Sequence, residues 1–456
     1  MRSPDRPYPL LGPLLARELR DLVASRALWV MALLLCPVVG YGFTEAVALY
    51  AEASRSAVDF PELARGLTPL DGVLVPTMGA SYVAVTLLFP FVAIRSLGAD
   101  KDSGGLRLLL QLPYPPTVLV LAKLAAVMVG WLLALVPALS TLVLWAALGG
   151  HLHAAETLNL LLGHLLYGLL VAAAGLFAAS VADGAATAAI AALGFVLGTW
   201  VLDFAAAGQG AWMRRLADLS PTAALRIFEG GLFALPATLG LLVAAAALVV
   251  LAVVWLPPGR PVVRKVGLSL AVLAAVAGLG LVAARAGIYA DLSESRRNSF
   301  APGNEAALRR LAEPLSVTIH LSPDDPRLMD FERQVLGKLR RLVPQIAVTI
   351  AETPRGLLTP AGNDRYGLVL YEYAGRHDET RSTSPREVLP LLYDLAGVVA
   401  EHTEAADYPG YPLVADAGRL ALWFYIVLPA LLALAWWHAR RPTAPPAWFH
   451  PKGGSP

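Results

Sequence analysis

The chain has 456 residues, of which 57% are hydrophobic and only 15% charged, with a net charge of +2. A water-soluble protein carries nearer a quarter charged residues, so most of this chain is solvated by lipid, and so neutral a balance points away from nucleic acid as a partner. The single cysteine, Cys36, excludes an intrachain disulfide and a thiolate zinc site.

The first element is a helix from Leu10 to Arg26, within a cytoplasmic segment 1–26. Leu11, Leu14, Leu15, Leu19 and Leu22 recur at helical spacing, and Arg17, Arg20 and Asp21 fall mostly opposite. That pattern suits a helix lying in the membrane interface, with Pro13 at an early helical position. The alternative is the frayed start of the first span. Arg17, Glu18 and Arg20 are the candidate functional residues of this helix.

Eight apolar runs follow that meet the length needed to span, roughly 20 residues. They are Ala27–Tyr50, Gly79–Leu97, Thr117–Leu148, Leu158–Val181, Ala185–Phe204, Leu232–Leu256, Val266–Ala284 and Leu420–Trp437. Ala27–Tyr50 is too long for a signal peptide and has no small-residue cleavage pattern close behind. Only Ala182, Asp183 and Gly184 separate the fourth and fifth runs, which must form an antiparallel hairpin.

Lys and Arg flank alternate loops: Arg2, Arg6, Arg17, Arg20 and Arg26; then Arg95, Lys101, Arg107 and Lys123; then Arg260, Arg264 and Lys265; then Arg440 and Arg441. The positive-inside rule makes these loops cytoplasmic. Both termini are then cytoplasmic and residues 287–419 extracytoplasmic, with Arg214 and Arg215 as a local violation. This suits a multi-pass protein of a bacterial inner membrane.

Between the second and third spans, the stretch from Arg95 to Lys123 does more than turn the chain. Gly105 to Leu112 is a short amphipathic helix, stopped by Pro113, Pro115 and Pro116, because proline lacks the donor that would continue it. The result is a stiff, surface-lying lever on which a soluble partner could push.

The segment 287–419 is polar, and its periodicity changes. Leu315–His320, Ile346–Ile350 and Tyr366–Tyr373 alternate like strands. Pro326–Leu342 has helical spacing, with Asp324 or Asp325 as its cap and Pro326 at the first position. Glu305–Leu311 and Pro385–Leu395 are shorter helices. Strand, helix, strand implies a small α/β domain with a partly parallel sheet. The tail 438–456 is Pro-rich and expected to be disordered. The fold class is therefore an α-helical polytopic membrane protein, a six-span unit plus two further spans, with a small extracytoplasmic α/β domain.

No Walker A sequence is present, so the chain has no P-loop ATPase of its own. His151 and His153 suit a solvated loop better than a metal site. His164, inside the fourth span, is a candidate by position, although a neutral, hydrogen-bonded histidine explains it equally. Asp183 and Asp203 lie at the two ends of the fifth span, each a cap or an interfacial charge and neither assigned to transport, with a part for Asp203 left open.

Asp102, Ser103, Gly104, Leu106, Leu108, Leu109, Leu112, Pro113 and Lys123 together resemble the cytoplasmic loop of type-2 ABC exporter permeases, with Gly105 in place of the usual threonine and Ala122 in place of glycine. Leu219, Ser220 and Pro221, followed by Phe228 and Gly231, resemble the outer re-entrant segment of that family. The resemblance implies a permease domain over 27–256 with a coupling helix at about 99–116. It also implies a separate ABC ATPase subunit as partner, a permease dimer, and ATP and magnesium on the ATPase with no cofactor in this chain. Asp102, Gly104, Leu106, Arg107, Leu109, Pro113 and Lys123 would form the ATPase-coupling surface, and Ser220, Pro221 and Gly231 the re-entrant segment. Further on, Ala290–Leu311 and Val317–Ser322 resemble the membrane-anchored auxiliary proteins of gliding-motility-type ABC systems. This implies a shortened auxiliary module made of the loop and seventh span (257–286), the outer domain (287–419) and the eighth span (420–437).

Two readings from other classes compete. A polytopic enzyme of the lipid-linked sugar transferase type would need a carboxylate site near the membrane, for which Glu52, Asp59, Glu62 and Asp71 are the best cluster. A membrane-anchored binding or scaffold module would need none.

Overall fold

The computed structural model describes residues 11–112, 114–205, 211–322, 325–343, 345–351, 365–400 and 408–440. The Pro-rich tail, Asp324, Pro113 and the start of the first helix at Leu10 lie outside them.

The amphipathic helix α1 (Leu11–Ala24) ends at Ser25 and is followed at once by α2 (Arg26–Asp59). The chain returns through a π turn into α3 (Val75–Asp102), then the short α4 (Gly105–Gln111). The third apolar run is broken at Leu135 into α5 (Pro116–Ala134) and α6 (Val136–Ala147), where Pro137 enters the first turn of the second segment. Next come α7 (Ala154–Val181), α8 (Ala185–Ala205), the short α9 (Ala211–Asp218) and α10 (Pro221–Glu229), strand β1 (Leu232–Ala234), α11 (Leu235–Trp255) and α12 (Val262–Ala284). Strand β2 (Tyr289–Asp291) opens the polar part, which contains α13 (Pro302–Leu308), β3 (Leu315–Ile319), α14 (Pro326–Phe331), α15 (Gly337–Leu342), β4 (Ile346–Ile350), β5 (Val369–Tyr373), β6 (Arg376–Thr380) and α16 (Pro385–Ala396). A π turn at Trp423–Val427 leads into α17 (Leu428–Ala439).

Seven helices among the described residues are long and apolar enough to cross a membrane, beginning with Arg26–Ala57 and ending with Val262–Ala284. The eighth expected span, Trp423–Ala439, is shorter than the others, and a 3-10 turn at Gly418–Leu420 leads into it. It nevertheless lies along most of α2. Near one end the Leu413 N–H donates to Ser54 Oγ at 2.9 Å. At mid-height Phe424 packs on Phe43, ring centres 5.9 Å apart, and at the far end Trp436 joins the cluster that includes Val23 of α1. By contrast α12 packs on α11 and buries only Ala283.

The polar domain is a four-stranded sheet in the order β4-β3-β5-β6, with β3 and β4 parallel and the other pairs antiparallel. The parallel pair is joined through the helical stretch 326–342, as a crossover requires. Strand β6, an exposed edge of charged residues, gave no strand pattern in the sequence. Leu315, Val317 and Ile319 alternate onto one face, opposite Tyr373, Tyr371 and Val369, and Phe331, Val335, Leu339 and Leu392 cover that face. Asp325, the residue before Pro326, caps α14 by accepting from the Arg327 N–H at 3.0 Å.

The Arg327 guanidinium beside Asp325, with the Tyr366 hydroxyl, holds that carboxyl down to about 2, below its ordinary 3.8. A depressed carboxylate stabilises the fold above its unfolded value, and that contribution is lost as pH falls from about 4 to about 2. Asp325→Asn should therefore lower the thermal midpoint at pH 7, and the difference from wild type should shrink as pH falls through about 2. A difference independent of pH would refute the ion pair as the cause.

Candidate functional site: a buried charge cluster beneath a surface helix

The two ends of the bundle differ. The sheet domain stands where α7 begins and α12 ends. Helices α1 and α4 stand at the opposite end, where α3 ends and α5 begins. Helix α3 stops at Ser103, and Gly104 takes φ = +72° to start α4 in a new direction. A side chain there would be strained, since L-residues pay about 1–2 kcal/mol in the left-handed region.

Helix α4 is two-sided. Leu106 is buried, sharing a cluster with Leu14 of α1, Ile94 and Leu97 of α3 and Leu119 of α5, and Leu109 and Leu110 pack partly against it. Arg107, Leu108, Gln111 and Leu112 face outward, with Leu108 68% exposed. This corrects the sequence-based placement of Leu106 on a docking surface: it is the anchor that holds α4 down, because a leucine on the buried side of so short a helix is its main apolar contact. Leu109 is intermediate. Asp102 and Gly104 are exposed beside the turn.

Below α4 lies a charge cluster that joins three elements. Lys123, on the second turn of α5, is 1% exposed. Its ammonium donates to Glu18 Oε2 of α1 at 2.8 Å, to Asp100 Oδ2 of α3 at 2.5 Å and to the Ser96 carbonyl at 2.7 Å. All three of its donors are used. Arg17 closes the group from the surface, its Nη2 2.8 Å from Asp100 Oδ1. Burial pushes the Glu18 carboxyl above its ordinary range, and the Lys123 ammonium opposes that rise. Glu18 Oε1 has no hydrogen-bond partner among the described residues, with Arg17 Nη1 3.8 Å away. Arg20 is exposed and returns to the Ala16 carbonyl. Lys101 reaches across to the C-terminus of α7, donating to the carbonyls of Ser180 and Ala182.

The sequence reading placed Lys123 on the ATPase-coupling surface with Asp102, and Arg17 and Glu18 on the interfacial helix; Lys123 is instead buried, because its ammonium is drawn inward by Glu18 and Asp100, and Asp100 was not singled out. The signal was present: Asp100 shares a helical stripe with Ala93 and Leu97, and Glu18 lies between Leu14 and Leu22 on the buried stripe of α1. An acidic residue on an apolar stripe needs a buried cation, because an isolated buried charge is far too costly.

At the other end, Ser220 caps α10 by accepting from the Ala223 N–H at 3.0 Å, with Pro221 at the first position. Gly231 has φ = +77°, and a Cβ there would lie 2.8 Å from Ser293 Cβ. The chain continues into β1, which pairs antiparallel with β2, Leu232 opposite Asp291 and Ala234 opposite Tyr289. The α10–β1 segment is thus hydrogen-bonded to the foot of the sheet domain. Asp291 accepts from Ser293, Asn298 and Ser299 and so fixes the next loop. Arg297 donates to the Gly230 carbonyl at 3.0 Å and pairs with Asp71.

A profile of ABC-2 family transporter proteins matches residues 13–282. The chain belongs to the ABC-2 family of transporter proteins. The match begins in α1 and runs through α12, so α1, α4 and the buried cluster all lie inside the ABC-2 permease region. No curated protein and no solved structure matches. An ABC-2 permease is the membrane component of a transporter that works with an ABC ATPase. Among the described residues no three His, Cys, Asp or Glu side chains converge so as to hold a metal ion. Asp71, from the carboxylates considered for an enzyme, is engaged by Arg297. His151 Nε2 contacts Glu294 Oε2 at 2.9 Å, and buried His164 lies 3.5 Å from Glu229. The side chain of Asp203 lies outside the described residues.

Proposed function

We propose that this chain is the membrane subunit of an ABC exporter, and that the exposed face of α4, with the outer side of α1, receives a separate ATPase subunit. The observation that carries this reading is the Glu18–Lys123–Asp100 cluster. It ties a surface helix to the ends of two spans through contacts too buried to slide independently. A push on α1 or α4 is therefore delivered to α3 and α5 together. Nucleotide-driven movement of the ATPases shifts the bundle only through contacts that differ between its two states. Arg107, Leu108, Gln111 and Leu112 form the docking face, with Asp102 and Gly104 at its edge, and Leu106 beneath it.

The end carrying α1 and α4 is cytoplasmic in this account, and the sheet domain extracytoplasmic, in a bacterial inner membrane. The flanking cations Arg17, Arg20, Arg26, Lys101, Arg107, Arg260, Arg264 and Lys265 support that orientation. So does α17, which follows α2 back to the level of α1. With α17 as an eighth span, the described N- and C-terminal residues fall on one side. The part that follows α12, through α17, is a shortened auxiliary module of the gliding-motility type, supported by its order of Asp291-centred loop, α/β domain and span behind the seventh span. The working unit is a dimer of permeases, and the exported substrate is open.

Co-expression with a candidate ATPase and purification in detergent tests this reading. The expected result is a stable complex whose ATP turnover depends on the permease. Purification of the chain without any associating ATPase, under conditions where the ATPase is folded, counts against it.

A further inference from the structure

A polar cavity of about 280 Å³ lies at the foot of the sheet domain, walled by Tyr289, Asp291, Ser299, Glu305, Lys338 and Arg341 among others. The coupling account makes no use of it. Lys338 and Arg341 stand one helical turn apart and both reach it. Among the described residues each makes a single hydrogen bond, to a backbone carbonyl, Lys338 to Ser299 at 3.0 Å and Arg341 to Asn298 at 2.5 Å. Their side chains lie over aromatic rings, Lys338 over Phe300 at 5.2 Å and Arg341 over Tyr289 at 5.9 Å. Neither forms an ion pair with a carboxylate among the described residues.

An ammonium has three donors and a guanidinium five, so most of theirs are unused. The two acidic walls are already engaged. Asp291 accepts from Ser293, Asn298 and Ser299. Glu305 accepts from the Phe300 N–H and from Arg309. Burial also pushes both cations below their ordinary pKa values. An anion in the cavity would relieve that penalty, and the planar fork of Arg341 suits paired oxygens.

Position narrows the anion. Gly287 and Tyr289 follow within five residues of the end of α12, and Leu232 precedes α11 by three. The cavity is therefore level with the ends of two spans, where lipid headgroups lie. Its volume falls below the roughly 300–1,000 Å³ typical of drug-sized sites, enough for a headgroup. Beside it, α12 leaves a bare apolar side on which acyl chains can lie.

We infer that this cavity binds the phosphate of a membrane phospholipid through Lys338 and Arg341, tying the foot of the sheet domain to the bilayer. The inference stands apart from the ATPase-docking proposal and can fail without it. The test uses the full chain, purified and delipidated in detergent, titrated with dioctanoyl phosphatidylglycerol or with inorganic phosphate, and read by native mass spectrometry and thermal midpoint. The wild type should retain and rebind the phospholipid, with inorganic phosphate competing. Lys338→Gln with Arg341→Gln should weaken lipid binding about tenfold or more, as loss of two charge-assisted contacts implies. Lys338→Arg should keep it. Arg340→Gln, an exposed neighbour paired with Glu332, should not change it. If the double variant does not fold, Lys338→Gln alone is read the same way. Equal lipid affinity in wild type and the glutamine variants, or binding of inorganic phosphate with none of the phospholipid, would overturn the inference.

Discussion

Lys123→Met should destabilise the protein by about 3–5 kcal/mol, the cost of leaving buried charges without their partner. Glu18 would lose its hydrogen-bonded cation and Asp100 would keep only the partly exposed Arg17, and neither carboxylate can move to water without pulling α1 or the end of α3 from the bundle. The diagnostic comparison is the triple variant Glu18→Gln, Lys123→Met, Asp100→Asn. It removes all three charges at once, so most of the loss should return, because residues in one network are strongly non-additive. Thermal unfolding in detergent measures both. A stabilised triple variant that associates with ATPase but no longer couples its turnover would show that the cluster transmits force as well as holding the fold. If Lys123→Met melts with the wild type, the cluster is not the joint described here.

The second large effect separates the two sides of α4. Leu108→Asp with Leu112→Asp places charge on residues that are already exposed, so fold stability should change by less than about 0.5 kcal/mol. Affinity for the ATPase should fall by about 2 kcal/mol or more, some 30-fold, if these side chains are docking anchors. Leu106→Asp should behave in the opposite way. It puts an unpaired carboxylate among Leu14, Ile94, Leu97 and Leu119, and the protein should fail to accumulate. Calorimetric binding of the purified ATPase, together with melting curves, distinguishes these outcomes. A folded Leu106→Asp that binds poorly, beside a Leu108/Leu112 variant that binds normally, would invert the assignment.

Much of this arrangement was legible from local chemistry. Apolar run length located seven spans to within a few residues at many ends. The prolines after Leu112 stopped α4, and the third run began within a residue of α5. Asp325 before Pro326 capped its helix, and alternation found β3 and β4. What periodicity missed depended on long-range partners. Strands β1 and β2 are three residues each and exist because they pair with one another across a gap of more than fifty residues. Strand β6 is polar throughout and is held by β5. In the cluster, Lys123 was read as a loop cation on the coupling surface, and finding its burial and its partner Asp100 required knowing which faces of α3 and α5 turn inward. Leu106 looked like a docking residue because the short helix is amphipathic, and the sequence alone did not say which leucines face the bundle.

Position-specific crosslinking from α4 tests the central claim most directly. Cys36 is buried, so a cysteine introduced as Leu108→Cys can carry a maleimide–benzophenone probe alone at the surface. In membranes containing the ATPase subunit, the account predicts a nucleotide-dependent crosslink to that subunit from Leu108→Cys and none from Arg376→Cys on the sheet domain. A crosslink from Arg376→Cys with none from Leu108→Cys would contradict it.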